Sequence, residues 1–393
     1  MKNAFAPAVV ILAIAFLPMG VVDGGDKPDS KVILVKTPHG GIQPQAMRDA
    51  KGTLHLIYFK GDPAAGDLFY VRKTADDARF SKPIQVNSQA GSAIAVGTIR
   101  GGRLALGKDN RVHVAWNGSG KALPKGPGRG SPMLYSRMND DGTAFEPQRN
   151  LMNLGEFLDG GGTVTADQEG NVTIAWHAKK IDGPAGEDKR LVYIAQSTDD
   201  GKTFSKEKAA FDKVTGVCGC CGMHAFTDKK GNTYLIYRAA TKGTNRDMWL
   251  LRSGDRGKSF QGSMIHPWSI DSCPMSSQAF AEGDSRVYTA WDTKGQIYFN
   301  IIPAGKRTLS DPSPAPGKAN GRKHPSLAIN NKGELLLVWT EGTGWQRGGA
   351  LGWQVYDGLL RPISERGRVA DAIPVWGLPS AVANGDGTFT IFY

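Results

Sequence analysis

The chain has 393 residues, 40% of them hydrophobic, with 51 Gly and 22 Pro; it is rich in turns yet too apolar for a disordered chain. The formal charge is +11, but Lys and Arg are scattered among acids without a basic block, which argues against a nucleic-acid partner. Beyond the N-terminus no segment approaches the ~20 apolar residues of a membrane-spanning helix, so no integral membrane segment is expected.

Met1-Lys2-Asn3 is followed by an apolar run from Ala4 to Leu17 and then by Pro18-Met19-Gly20. One positive charge, a short apolar core and small residues after it predict a secretory signal peptide. We place it at residues 1–24, with cleavage between Gly20 and Gly25. Residues 25–393 are then one exported domain, periplasmic or extracellular, in a compartment that permits disulfides.

From there one unit recurs. An acidic or Gly-containing turn leads into an alternating apolar strand that ends in an aromatic residue. The strands end at Tyr58, Trp116, Trp176, Tyr237, Trp291, Trp339 and Phe392, at intervals of roughly 50–60 residues. Alternation such as Val172, Ile174, Trp176 has the period-2 signature of a strand. Each unit carries a strand before the turn and, in most copies, two after it. Four antiparallel strands repeated at this interval predict an all-β fold, a single β-propeller. Seven blades are favoured, with six plus an accessory hairpin as the alternative. The last copy has only two strands, and Lys31-Val32-Ile33-Leu34-Val35-Lys36 is an apolar strand without a unit. Pairing these N- and C-terminal strands would close the ring and leave no open edge.

A second motif joins third and fourth strands. It reads Ser197-Thr198-Asp199-Asp200-Gly201-Lys202-Thr203-Phe204 and again Ser253-Gly254-Asp255-Arg256-Gly257-Lys258-Ser259-Phe260. Asp140 to Phe145 is a looser copy and Thr74 to Phe80 a degenerate one. The Asp can accept from backbone N–H groups of the turn, Gly supplies positive φ and the aromatic plugs the core. This motif resembles the Asp-box, or BNR repeat, of the sialidase-like propellers. With the aromatic-ended strands, the resemblance covers nearly the whole mature chain.

Strand order sorts the candidate residues by face. Inner-strand starts and second-strand ends share one face, here termed the mouth; the acidic turns and the Asp-box motifs lie on the other. Asp199 and Asp255 are therefore expected to be structural. The mouth collects Asn117, His177, Arg238, Asp292 and Glu341 after the aromatics. Entering loops bring Arg100, Asp159, Cys218 to His224, Cys273, Arg322 and His324. A further loop runs from Gly342 through Trp345 and Arg347 to Gly349. Polar residues at matching positions near the axis suggest a ligand cleft for a glycan or small anion.

The resemblance implies a sialidase-type site. Three arginines would clamp a substrate carboxylate, since a guanidinium matches it bidentately. Arg100, Arg238 and Arg322 are the candidates, with Arg347 in reserve. Asp159 would be the acid/base, Glu341 the partner carboxylate and Tyr356 the nucleophile, because sialidases use a Tyr in place of a second carboxylate. The Arg-Ile-Pro motif of the family is matched only by Thr98-Ile99-Arg100-Gly101-Gly102, without the Pro. An exo-sialidase or related glycosidase is one reading. A non-catalytic ligand- or metal-binding propeller is the alternative.

All four cysteines sit in two segments on adjacent blades, Cys218, Cys220 and Cys221 with His224 nearby, and Cys273. An exported context favours one or two disulfides, Cys273 pairing with one of the other three. The alternative is a copper or zinc site, for which soft sulfurs and an imidazole are suitable ligands; otherwise no cofactor is expected.

Overall fold

The computed structural model describes Met1 and residues 30–283, 286–303 and 309–393. Residues 2–24 of the expected signal peptide lie outside these. Lys31–Tyr393 folds as one unit, a β-propeller of seven blades in chain order.

The inner strands, one per blade, are Ile42–Arg48, Arg103–Leu106, Thr163–Ala166, Met223–Thr227, Gln278–Gly283, Arg322–Ile329 and Ser380–Ala383. Each pairs antiparallel with a second strand, the aromatic-ended one. In six blades a third and a fourth strand follow, giving four-stranded sheets. In blade three the second strand, Val172–Lys180, overruns its sheet, and Gly155–Glu156 pairs with the overhang.

The second strands are apolar on both faces because each sheet is sandwiched between two others. In blade six, Leu335, Leu337 and Trp339 pack toward blade five, while Leu336 and Val338 pack toward blade seven. All seven strand-ending aromatics are buried. The apolar core is thus divided among the seams between neighbouring blades, and each seam depends on the alternation of two strands.

The acidic turns share one geometry. Asp167 Oδ1 accepts from the N–H of Glu169 at 3.0 Å and of Asn171 at 2.8 Å. Asp228 repeats this with Lys230 and Asn232. Gly170 sits at φ +87°, a conformation that a side chain would strain. The Ser-x-Asp-x-Gly-x-Thr turn forms as its chemistry predicts. Asp199 Oδ1 accepts from Thr203 N–H at 2.9 Å and Asp199 Oδ2 from Thr203 Oγ1 at 2.6 Å, while Ser197 Oγ accepts from Gly201 N–H at 2.9 Å. The second copy, at Asp255, matches it.

The closing blade departs from the four-stranded pattern. It has three strands, Ser380–Ala383, Phe389–Phe392 and Val32–Val35. The N-terminal strand does join the C-terminal one, but it runs parallel to it, with Val32 opposite Phe389 and Val35 opposite Phe392.

Candidate functional site

Loops entering blades two to five meet at the mouth, and the inner strands wall a cavity toward the other face. Cys218 to Cys221 lie across the mouth, anchored by Cys218 N–H to Arg238 O at 2.9 Å and Gly222 N–H to Ser276 O at 2.8 Å. The loop at Gly160 is pressed against this segment. A Cβ added there would fall 2.2 Å from Ile99 Cδ1 and 2.8 Å from Gly219 O, so glycine is what lets the two loops touch. A cavity of about 890 Å³, walled by the inner strands, reaches to the turns at Asp49, Asp109, Asp167 and Asp228.

The sulfur cluster resolves into a bond and a thiol pair. Cys220 and Cys273 form a disulfide, which ties blade four to blade five. Cys218 and Cys221 are free and buried. Cys218 donates its S–H to Cys221 Sγ at 3.1 Å. Burial pushes the Cys221 thiol up, but this donation, the Arg238 charge and Ser276 outweigh it and bring Cys221 down to about 7. The favoured reading, a disulfide from Cys273 to one of the other three cysteines, is the one that forms, and it bears on the alternative metal site. A disulfide sulfur carries no thiolate charge to offer a metal, which removes Cys220 and Cys273. His224 spends Nδ1 on Gln278 O at 3.0 Å and lines the cavity instead of joining the sulfurs.

The expected mouth residues are near one another in part, yet most are consumed by the scaffold. Arg238 is fully buried. It donates to Ser276 Oγ at 2.7 Å and to the backbone oxygens of Arg246 and Asp292, and its guanidinium lies over Trp268. Burial lifts Asp292 to about 6, opposed by the Arg238 charge. His177 accepts from Gly160 N–H at 3.2 Å and is held down at about 3 by burial and then by Arg190. Asn117 Nδ2 donates to Asp159 O at 3.2 Å. These side chains brace the loops of the mouth.

The sialidase-type constellation does not assemble. Arg322 donates to Glu341, Gln296 and Pro316 at the side of blade six and lies over Trp339. It shares no partner with Arg238 or with Arg100, which is committed to Asp159 and Val96. Arg238 and Arg322 are buried and all three guanidiniums are engaged by partners of their own. Tyr356 pairs with Leu335 and Glu341 with Ala350, at opposite ends of the same strand pair. The tyrosine is buried against Phe299 and burial raises its hydroxyl pKa, the reverse of what a nucleophile needs. Glu341 is held by Arg322, Trp339 and Arg368 and stays ionised.

What remains open at the mouth is a smaller group. Asp159 is 46% exposed and paired with Arg100 at 2.6 Å. Trp345 is 56% exposed and stands edge-on to Trp376, with ring centroids 4.8 Å apart. The Arg100 guanidinium and the Trp345 ring meet over Gly97, where an added Cβ would lie 2.0 Å from Arg100 Nη1 and 3.7 Å from Trp345 Cζ3. Arg347, two residues along the same hairpin, is exposed and has no ion pair among the described residues.

The cavity floor contains residues that strand order alone did not mark. Arg103 opens the second inner strand and Gln278 the fifth. The one available signal was a charge at the start of an otherwise apolar strand, Arg103-Leu104-Ala105-Leu106.

No protein-family model matches the chain, and no curated protein matches it by sequence. Solved structures match it in fold. A Trypanosoma rangeli sialidase is 11% identical with a TM-score of 0.50, over 82% of this chain and 57% of that one. A Fusarium graminearum α-L-arabinofuranosidase is 12% identical with a TM-score of 0.48, over 78% of this chain and 89% of its own. An intramolecular trans-sialidase of Ruminococcus gnavus is 11% identical with a TM-score of 0.44, over 88% of each chain. The chain has a β-propeller fold, like that of the Trypanosoma rangeli sialidase.

Proposed function

We propose that the protein is an exported, non-catalytic propeller that binds an acidic glycan at the mouth. The observation that carries this reading is the exposed Trp345 ring beside the Arg100–Asp159 pair and the unpaired Arg347. A flat aromatic face takes the apolar face of a sugar at low entropic cost. A free guanidinium supplies bidentate recognition of a carboxylate, and Asp159 Oδ2 accepts from sugar hydroxyls. Export is supported by the Cys220–Cys273 bond, since disulfides persist in oxidising compartments. No helix among the described residues is long and apolar enough to cross a membrane.

Separated carboxylate, tyrosine and arginine groups support binding over hydrolysis. The test is a glycan array followed by calorimetry, with a fluorogenic sialoside assayed in parallel from pH 4 to 8. We expect sialylated or uronate-bearing glycans to bind without turnover. Trp345→Ala should weaken binding at least tenfold, and Arg347→Ala should remove the preference for charged over neutral glycans. Turnover of the sialoside would overturn the non-catalytic reading, and wild-type affinity in Trp345→Ala would overturn the placement.

A further inference from the structure

The central cavity is a separate site, opening away from the mouth. Its floor holds Arg103, whose side chain is 7% exposed. That guanidinium makes one side-chain hydrogen bond, from Nη1 to Gln45 Oε1 at 3.2 Å, and has no carboxylate partner among the described residues. Other buried arginines are better matched: Arg238 has four acceptors, and Arg322 and Arg246 have ion pairs with Glu341 and Glu187. A buried cation left without a counter-charge is costly.

A second observation points the same way. Gln278 lines the cavity at 2% exposure, and both its amide oxygen and its amide nitrogen lack a partner. Buried side-chain amides are rarely left with neither end bonded. Two imidazoles line the same space. His224 and His324 spend Nδ1 on Gln278 O and Ser277 Oγ respectively, and no hydrogen bond among the described residues engages either Nε2. Both rings are neutral at neutral pH, held down by burial foremost, then by the charge of Arg103 at His224 and by those of Lys323 and Arg103 at His324. The volume of about 890 Å³ lies within the roughly 300–1,000 Å³ of small-molecule sites.

We propose that this cavity binds a small hydroxylated monocarboxylate of the sugar-acid class. Its carboxylate would take the place of the missing partner of Arg103, and its hydroxyls would bond the Gln278 amide and the imidazole edges of His224 and His324. One guanidinium surrounded by neutral polar groups balances a single negative charge. The next cation, Lys323, acts on His324 as well but donates its Nζ to Pro274 O at 2.7 Å, so a phosphate dianion would leave charge that Arg103 alone does not balance. Entry is through the turn face, whose rim sets Asp49, Asp109, Asp167, Glu169, Asp228 and Glu282 against Arg48, Lys51 and Lys229; Asp167 and Asp228 are turned onto the N–H groups of their own turns. The carboxylate of Asp49 is already turned inward onto the N–H groups of Lys51 and Thr53. This site is independent of the glycan surface at the mouth.

Isothermal titration of the full chain with glucuronate tests it, with glucose and sulfate as the uncharged and the hydroxyl-free probes. We expect saturable one-to-one binding of glucuronate, none of glucose, and sulfate at least tenfold weaker than glucuronate. Arg103→Met should abolish glucuronate binding, and Gln278→Leu should weaken it at least fivefold with the charge retained. Wild type and both variants are also titrated in the Trp345→Ala background, which removes the mouth surface, so that glucuronate held at the mouth is not counted and the two sites are separated. Absence of saturable binding to the wild type would overturn the proposal. So would wild-type affinity in Gln278→Leu, which decides the matter if Arg103→Met fails to fold. Sulfate binding as tight as glucuronate would overturn the sugar-acid assignment.

Discussion

At the residue scale, the buried imidazoles govern how the protein responds to acid. His177 and His324 titrate in the fold at about 3 and His224 at about 4, each lowered from 6.5 first by burial. The unfolded chain therefore takes up protons before the fold does. Their contribution is complete above pH 6.5 and is lost as pH falls toward 3, at ~1.4 kcal/mol per pH unit for each group. Asp292, raised to about 6 by burial, acts in the opposite direction between its unfolded value near 4 and pH 6, because there the fold binds the extra proton. Three groups outweigh one, so urea midpoints should drop between pH 7 and pH 5, and His324→Asn should flatten that drop. An unchanged midpoint at pH 5 would contradict burial of these rings as neutral bases. The same residues show why site roles were hard to read from sequence. Strand order gathers His177, Arg238 and Asp292 as one set of second-strand ends, but a polar strand end looks alike whether it meets ligand or a neighbouring loop. Only the partner atoms, on segments 15 or more residues away for each of them, distinguish the two.

At the scale of the element, the turn is the unit of design. Asp199 binds both the N–H and the hydroxyl of Thr203; these bonds and that from Ser197 hold it at about 2 against the opposing effect of burial. Asp199→Ala should cost about 1–2 kcal/mol, and Asp255→Ala, one blade on with the same bonds, a similar amount. The two sites share no partner, so the double variant should show the sum; calorimetric melting checks both the size and the additivity. These turns were legible because their mechanism is local: an acceptor, a glycine and an aromatic within eight residues. The inner and second strands were legible for the related reason that period-2 patterning survives in every copy. The Gly155–Glu156 addition to blade three was not, because a two-residue pairing leaves no periodic trace.

For the whole molecule, the ring stands or falls with its closing blade. Removing residues 31–36 would strip the edge from Phe389–Phe392 and uncover the apolar seam that Val32 helps to fill. We expect such a deletion to lose the single sharp melting transition and to self-associate through the open edge, visible by calorimetry and size-exclusion chromatography; a monomeric, wild-type-like melt would count against closure by this strand. Seven blades could be counted from seven aromatics, but the direction of the closing strand could not, since an apolar tetrapeptide pairs either way. That direction has a mechanical meaning. Because Val32–Val35 runs parallel to Phe389–Phe392, tension applied at Lys31 and Tyr393 pulls the two strands past each other along their length. All rungs of the ladder then bear the load together, whereas an antiparallel closure would put the two pulling points side by side and peel the rungs one at a time. The seam that joins the ends of the chain is thus built as a lap joint, strongest along the line on which a tethered propeller would be tugged.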